Sequence, residues 1–270
     1  MRRTAVFAFL AIPVVGVVAL LAWIFLRAGP PIWQLEEVAA SGLEFTHTTG
    51  ASGDRHMAET IAGSVAWIDH DGDGLLDLYC VNGNASPEAP SPPGAGPRNR
   101  LFRNLGEGRF SDVTDAAGVG HRGYGCGVAV GDYDGDGDSD LFVANYGADV
   151  LYRNEGGRFV DVSEAAGVSL EPARPASARS WSTSAAFFDA DGDGLLDLWI
   201  CRYVALDPRR RCRSGTTPTH CSPSEFHGLP DRLLKNIGGG RFIDVSASAG
   251  IAIAGPRAGK SLGVLSLIHI

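Results

Sequence analysis

Short apolar runs bounded by Gly, Asn and Asp recur along this chain in pairs. Ser64-Val65-Ala66-Trp67-Ile68 and Leu78-Tyr79-Cys80-Val81 flank one acidic stretch. Gly127–Gly131 and Leu141-Phe142-Val143-Ala144 flank a second, and Ser184–Phe188 and Leu198-Trp199-Ile200-Cys201 a third. Runs this short, rich in β-branched and aromatic residues, predict buried strands. A second pattern follows each pair. It reads Leu101-Phe102-Arg103-Asn104, a Gly-containing turn, then Arg109-Phe110-Ser111-Asp112-Val113. It recurs as Leu151-Tyr152-Arg153-Asn154 with Arg158–Val162, and as Leu233-Leu234-Lys235-Asn236 with Arg241–Val245. Two short strands around Gly-Glu-Gly, Gly-Gly or Gly-Gly-Gly predict a hairpin. Each copy closes on Ala-Gly-Val or Ala-Gly-Ile, at Gly118, Gly167 and Gly250, and Ser41-Gly42-Leu43 foreshadows that element. Every unit therefore holds four predicted strands. The first acidic residues of successive stretches, Asp69, Asp132 and Asp189, are 63 and then 57 residues apart. Repeats of four strands at this period predict an all-β propeller. Two inserts interrupt the period, Ala85–Pro97 and the Cys-bearing Ala205–Pro230.

The acidic stretches share one grammar. Asp132, Asp134, Asp136 and Asp140 stand at positions 1, 3, 5 and 9 of a nine-residue loop, with Gly137 at position 6. Asp69, Asp71, Asp73 and Asp77 repeat it around Gly74, and Asp189, Asp191, Asp193 and Asp197 around Gly194. Hard oxygen donors at alternating positions with a turn glycine suit Ca²⁺, about three ions per chain. Position 7 is Leu75, Asp138 or Leu195, a freedom that fits ligation by the backbone carbonyl. An EF-hand is excluded: position 12 is Cys80, Val143 or Ile200 instead of a bidentate acid, and strands rather than helices flank the loop.

Charge then falls into place. The net charge is −8, and 13 of the 31 acidic residues lie in the three loops, so three bound Ca²⁺ leave a nearly neutral surface. The only basic cluster is Arg209–Arg211 with Arg213, a solvated loop, so no nucleic-acid partner is expected. Cys212 and Cys221 share one loop and are candidates for a local disulfide; Cys80, Cys126 and Cys201 fall in strand patterns. No C-x₂-C pair exists to suggest zinc. His47, His56 and Glu59 precede the first acidic loop and are candidates for lining a ligand site. Asn84-Ala85-Ser86 matches a glycosylation sequon.

At the N-terminus, Ala5–Leu26 is an apolar run of 22 residues behind Arg2 and Arg3. It exceeds the roughly 7–15 residues of a signal-peptide core and predicts an uncleaved transmembrane anchor, a cleaved signal being the alternative. The charge bias puts residues 1–4 in the cytoplasm. Residues 27–44 then read as a linker and lead-in strand, and 45–270 as repeat units outside the cytoplasm, periplasmic or at the cell surface, or secreted if the segment is cleaved.

Gly127-Val128-Ala129-Val130-Gly131-Asp132 with its Asp-Gly-Asp-Gly loop resembles the FG-GAP/VCBS repeats of integrin α-subunit propellers. The hairpin motif, Phe45-Thr46-His47 and Cys221-Ser222-Pro223 with Asp231-Arg232-Leu233 resemble the cartilage acidic protein family, whose members often carry an ASPIC/UnbV module. The resemblance covers residues 33–264. It implies a seven-bladed calcium-binding propeller used for adhesion or ligand binding, with the loop residues above as metal ligands. A fourth loop would begin at Ile268, so three complete units and the start of a fourth are expected, in a chain truncated at its C-terminus.

These readings predict a non-catalytic, calcium-stabilised repeat protein displaying a surface to a protein or glycan ligand. The competing class is an extracellular hydrolase or lyase. Gly259-Lys260-Ser261-Leu262-Gly263 has the G-x-S-x-G form, but it aligns with Gly123–Gly127 of an earlier unit and so reads as strand entry rather than a nucleophile elbow.

Overall fold

The computed structural model describes residues 40–84, 96–168, 179–253 and 259–264. Three four-stranded antiparallel sheets follow one another along the chain. The first comprises β1 (Ser64–Ile68), β2 (Asp77–Val81), β3 (Arg100–Asn104) and β4 (Phe110–Asp112). The second comprises β5 (Gly125–Gly131), β6 (Asp140–Asn145), β7 (Val150–Asn154) and β8 (Phe159–Asp161). In the second insert, β11 (Cys212–Ser214) and β12 (Thr217–Thr219) form a separate ribbon. The third sheet is thus β9 (Ser182–Phe188), β10 (Asp197–Arg202), β13 (Arg232–Asn236) and β14 (Phe242–Asp244). Each sheet is consistent with a propeller blade.

Strand alternation explains how the sheets stack. Successive side chains of a strand point to opposite faces, and every residue of β6 is buried. Leu141 and Val143 enter an apolar cluster with Ile68, Tyr79, Val81 and Leu101 of the first sheet. Phe142 and Ala144, one position out of phase, join Phe187, Leu198, Ile200 and Leu234 of the third. The second sheet is therefore cored on both faces. Each fully buried Leu, Phe or Ile contributes roughly 1.5–3 kcal/mol. On the other face of the first sheet, Val65 and Trp67 remain exposed.

A third cluster gathers where the first strands of the second and third sheets begin. Trp181 is fully buried between Tyr146 and Tyr203, at ring separations of 5.5 and 5.3 Å. Its indole N–H donates to Cys126 Sγ at 3.2 Å.

The Ala-Gly elements clasp the next sheet. Ser41 O accepts from Phe110 N and Ala166 O from Phe242 N, at 2.7 and 2.8 Å. Gly42, at φ +80°, lies so close that a Cβ would fall 2.2 Å from Phe110 O; at Gly167 the figure is 2.9 Å from Phe242 O. Residues 40–44 of the expected lead-in strand are not a strand. They spend their backbone on this clasp instead of on a ladder.

Candidate metal centres

All three acidic loops are the connections between the first two strands of their sheets, and the register fixes their ends. Ile68 pairs with Asp77, Gly131 with Asp140 and Phe188 with Asp197. Position 9 is therefore already the first residue of a strand. Its carboxylate is fully buried in all three loops and ties two backbone groups together. Asp140 Oδ2 accepts from Tyr133 N at 3.0 Å and Oδ1 from Asn154 N at 2.8 Å. Asp77 does the same with His70 N and Asn104 N, and Asp197 with Ala190 N and Asn236 N. Burial pushes the Asp140 carboxyl up to about 7.

Position 1 organises the turn from the other side. Asp132 Oδ1 accepts from Gly135 N and Asp136 N, and Oδ2 from Gly137 N at 3.0 Å. Asp189 repeats all three bonds, and Asp69 accepts from Gly74 N. Position 5 accepts from the backbone of position 7: Asp73 from Leu75, Asp136 from Asp138, Asp193 from Leu195. The turn needs positive φ twice. Position 6 has it (Gly74 +82°, Gly137 +95°, Gly194 +86°), and so does position 4 (Gly72 +70°, Gly135 +76°, Gly192 +77°). Both demand glycine.

The carboxylates left over converge. One oxygen each from Asp69, Asp71 and Asp73 lies within 4.8 Å of the others, as do those of Asp132, Asp134 and Asp136. In the third loop the group is Asp189, Asp191 and Asp197. Oδ1 of Asp69, Asp71 and Asp134 is buried with no hydrogen-bond partner. A buried carboxylate oxygen without a donor is costly, so these atoms fit a cation. The Asp134 carboxyl is held above its ordinary range by burial and then by Asp136 and Asp132. His70 adds a ring nitrogen to the first loop: Nδ1 bonds Asp77, and the two group with Asp71. The Asp138 side chain instead accepts from Gly156 N at 2.8 Å. Leu75 is exposed.

In the second and third hairpins one asparagine joins the loop to the preceding one, whereas Asn104 of the first bonds Leu76 O in its own loop. Asn154 Oδ1 accepts from Gly157 N, and Nδ2 donates to Ser139 O in its own loop and to His70 O in the preceding loop, at 3.1 and 2.9 Å. Asn236 Nδ2 bonds Leu196 O and, across to the second loop, Tyr133 O at 2.7 Å. Asn154→Ala strips partners from two carbonyls and one N–H. It is expected to cost about 2–4 kcal/mol in urea unfolding; a loss below about 0.5 kcal/mol would remove the asparagine from the account.

The remaining candidates scatter. His47 lines a shallow cavity with Phe45, Ala62 and Val65, whereas His56 borders another with Met57, Cys221 and Phe226. Glu59 accepts from Ser52 N and Ser52 Oγ. His47 and His56 thus line different cavities, and Glu59 lines neither of these two. Cys212 and Cys221 form a disulfide with Cα atoms 5.0 Å apart, and beside it Arg209 pairs with Asp207 and Arg210 with Glu225. Such a bond fits an oxidising compartment. Cys80, Cys126 and Cys201 are free and buried, their thiols pushed up to about 11, 12 and 11 by burial. Asn84 of the sequon is itself buried, its Nδ2 donating to Arg122 O. Among the described residues no helix is long and apolar enough to cross a membrane; residues 5–26 lie outside them.

The FG-GAP-like repeat family model matches the chain twice, over residues 69–143 and 132–200. Each match opens on the first aspartate of a loop and runs through the following loop into the strand beyond it. No curated protein matches the chain. Residues 69–200 thus hold two FG-GAP-like repeats, and each of the three described four-stranded sheets carries an acidic loop whose carboxylates group closely enough to hold a metal ion.

Proposed function

We propose that this is a calcium-binding, extracytoplasmic propeller, anchored by residues 5–26, that presents its surface to a protein or glycan ligand and is not an enzyme. The observation that carries the calcium assignment is the set of buried, partnerless oxygens Asp69 Oδ1, Asp71 Oδ1 and Asp134 Oδ1, each within a cluster of three aspartates. Asp69, Asp71, Asp73 and Asp77, with their counterparts Asp132–Asp140 and Asp189–Asp197, would hold the ions, helped by the backbone carbonyls of Leu75, Asp138 and Leu195. Bound there, Ca²⁺ supplies charge neutralisation that locks the turn. The twofold family match and the three successive sheets support the propeller, as does the exposed Val65 and Trp67 face that a further blade would cover. The disulfide supports the extracytoplasmic location. The hairpin motifs keep kinship with the cartilage acidic protein family as the finer reading.

Against an enzyme, Ser261 Oγ donates to Asp231 rather than to a histidine, and thiols pushed this far up are not nucleophiles at neutral pH. The test is a glycan array and cell-surface binding assay with the full chain, with and without calcium. Saturable binding that disappears on chelation is expected. Turnover of a glycan or peptide substrate would overturn the non-catalytic reading.

A further inference from the structure

The three loops are alike in sequence but not in their counter-charge. The penultimate residue of the third strand of each sheet is basic: Arg103, Arg153 and Lys235. Arg103 lies on its own loop, Nε 2.8 Å from Asp71 Oδ2 and an η-nitrogen 2.9 Å from Asp73 Oδ2. Lys235 does the same in the third sheet, pairing with Asp191 and standing 3.2 Å from Asp193 Oδ2. Arg153 does not. It pairs with Glu155, a residue with no acidic counterpart at Leu105 or Ile237 in the other hairpins. Among the described residues no ion pair reaches the Asp132–Asp140 loop, which also carries a fifth carboxylate, Asp138, where the others have leucine.

We propose that the three loops load in a fixed order, the Asp132–Asp140 loop first, because Glu155 holds Arg153 off it while Arg103 and Lys235 partly neutralise the other two. The inference rests on the calcium reading above and adds to it a rank of affinities and the residues that set the rank. Calcium affinity in oxygen-donor loops is tuned by ligand charge and rigidity, and a fixed cation a few ångströms from the ion opposes binding. Arg103 and Lys235 are positioning residues here. They grip outer oxygens of the carboxylates, and in the first loop leave Asp71 Oδ1 free to face the ion.

The experiment is calorimetric titration of the full chain with Ca²⁺, paired with Tb³⁺ luminescence excited through tyrosine. Tyr133 sits between two ligands of the second loop, where the others have His70 and Ala190, and Tyr133→Phe identifies its signal. A tightest site about tenfold stronger than the other two is expected, filled as the Tyr133-dependent signal rises. Lys235→Met should tighten a weaker site. Glu155→Gln should weaken the tightest one by releasing Arg153 toward Asp134 and Asp136. Both residues are partly exposed, so neither change threatens the fold. Three equal affinities, or a first site blind to Tyr133→Phe, would overturn the order while leaving calcium binding intact. Absence of binding at every loop would overturn both.

Discussion

With its carboxyl protonated in the fold, at about pH 4, Asp140→Ala is expected to destabilise the metal-free protein by about 3–5 kcal/mol, a large share of the roughly 5–15 kcal/mol of a typical domain, and by less as pH rises toward about 7 and the buried charge itself becomes costly. The reason is geometric. Asp140 is fully buried, and its two oxygens are the acceptors for Tyr133 N and Asn154 N. Deleting the carboxylate leaves both N–H groups buried and unpaired, at about 1–3 kcal/mol each, and opens a void between the loop and the hairpin. Asp140→Asn keeps one acceptor but turns an amide N–H toward a backbone donor, so it should recover only part of the loss. Asp136→Ala, on the exposed side of the same loop, is the contrast. It should cost calcium affinity but little metal-free stability. Urea unfolding in excess chelator, comparing Asp140→Ala with Asp136→Ala, checks the pair. Equal destabilisation would mean that position 9 has no structural role beyond the metal.

Withdrawing calcium is the second large effect. At about 1 mM Ca²⁺ and a geometric-mean Kd near 0.1 mM, the three loaded loops together contribute roughly 4 kcal/mol, the tightest of them the most. For a unit of this size that should lower Tm by about 8–16 °C on chelation, measured by calorimetric scans with and without chelator. The pH dependence has a definite sign. Burial raises the Asp140 carboxyl to about 7 in the metal-free fold, whereas in the unfolded chain it ionises at about 3.9. The metal-free fold is therefore favoured at low pH and loses stability as pH climbs between those values. Calcium needs the ionised group, so its stabilising effect should be greatest above about pH 7 and shrink toward pH 4. A calcium effect that grew on acidification would contradict the role given to Asp140.

Much of this architecture was legible in the chain because its units repeat. The apolar runs around each acidic stretch became the first two strands, the Arg-Asn and Asp-Val motifs became the hairpin strands, and the aspartates at positions 1, 3 and 5 came together in two loops out of three. The third departs: Asp197 replaces Asp193 in the cluster, and Asp193 faces Lys235. That difference is one of side-chain placement within the loop, which a motif does not encode. Glycine at position 4 was visible in every copy, yet its need for positive φ emerged only from the backbone. The asparagine of each hairpin was also visible, but not its role. Asn154 meets His70 across 84 residues of chain and Asn236 meets Tyr133 across 103, contacts set by how sheets stack. Glu59 is a case where burial and partners could not be read from the chain. A candidate for lining a ligand site, it is buried and accepts from Ser52 N and Ser52 Oγ.

The most direct test of the central claim is titration calorimetry of the full chain with Ca²⁺, with Mg²⁺ as the control. The account predicts saturation at three Ca²⁺ per chain, with Mg²⁺ weak because it demands a smaller octahedral shell and holds its waters. No heat of binding in a chain shown to be folded, or an equal response to Mg²⁺, would contradict it.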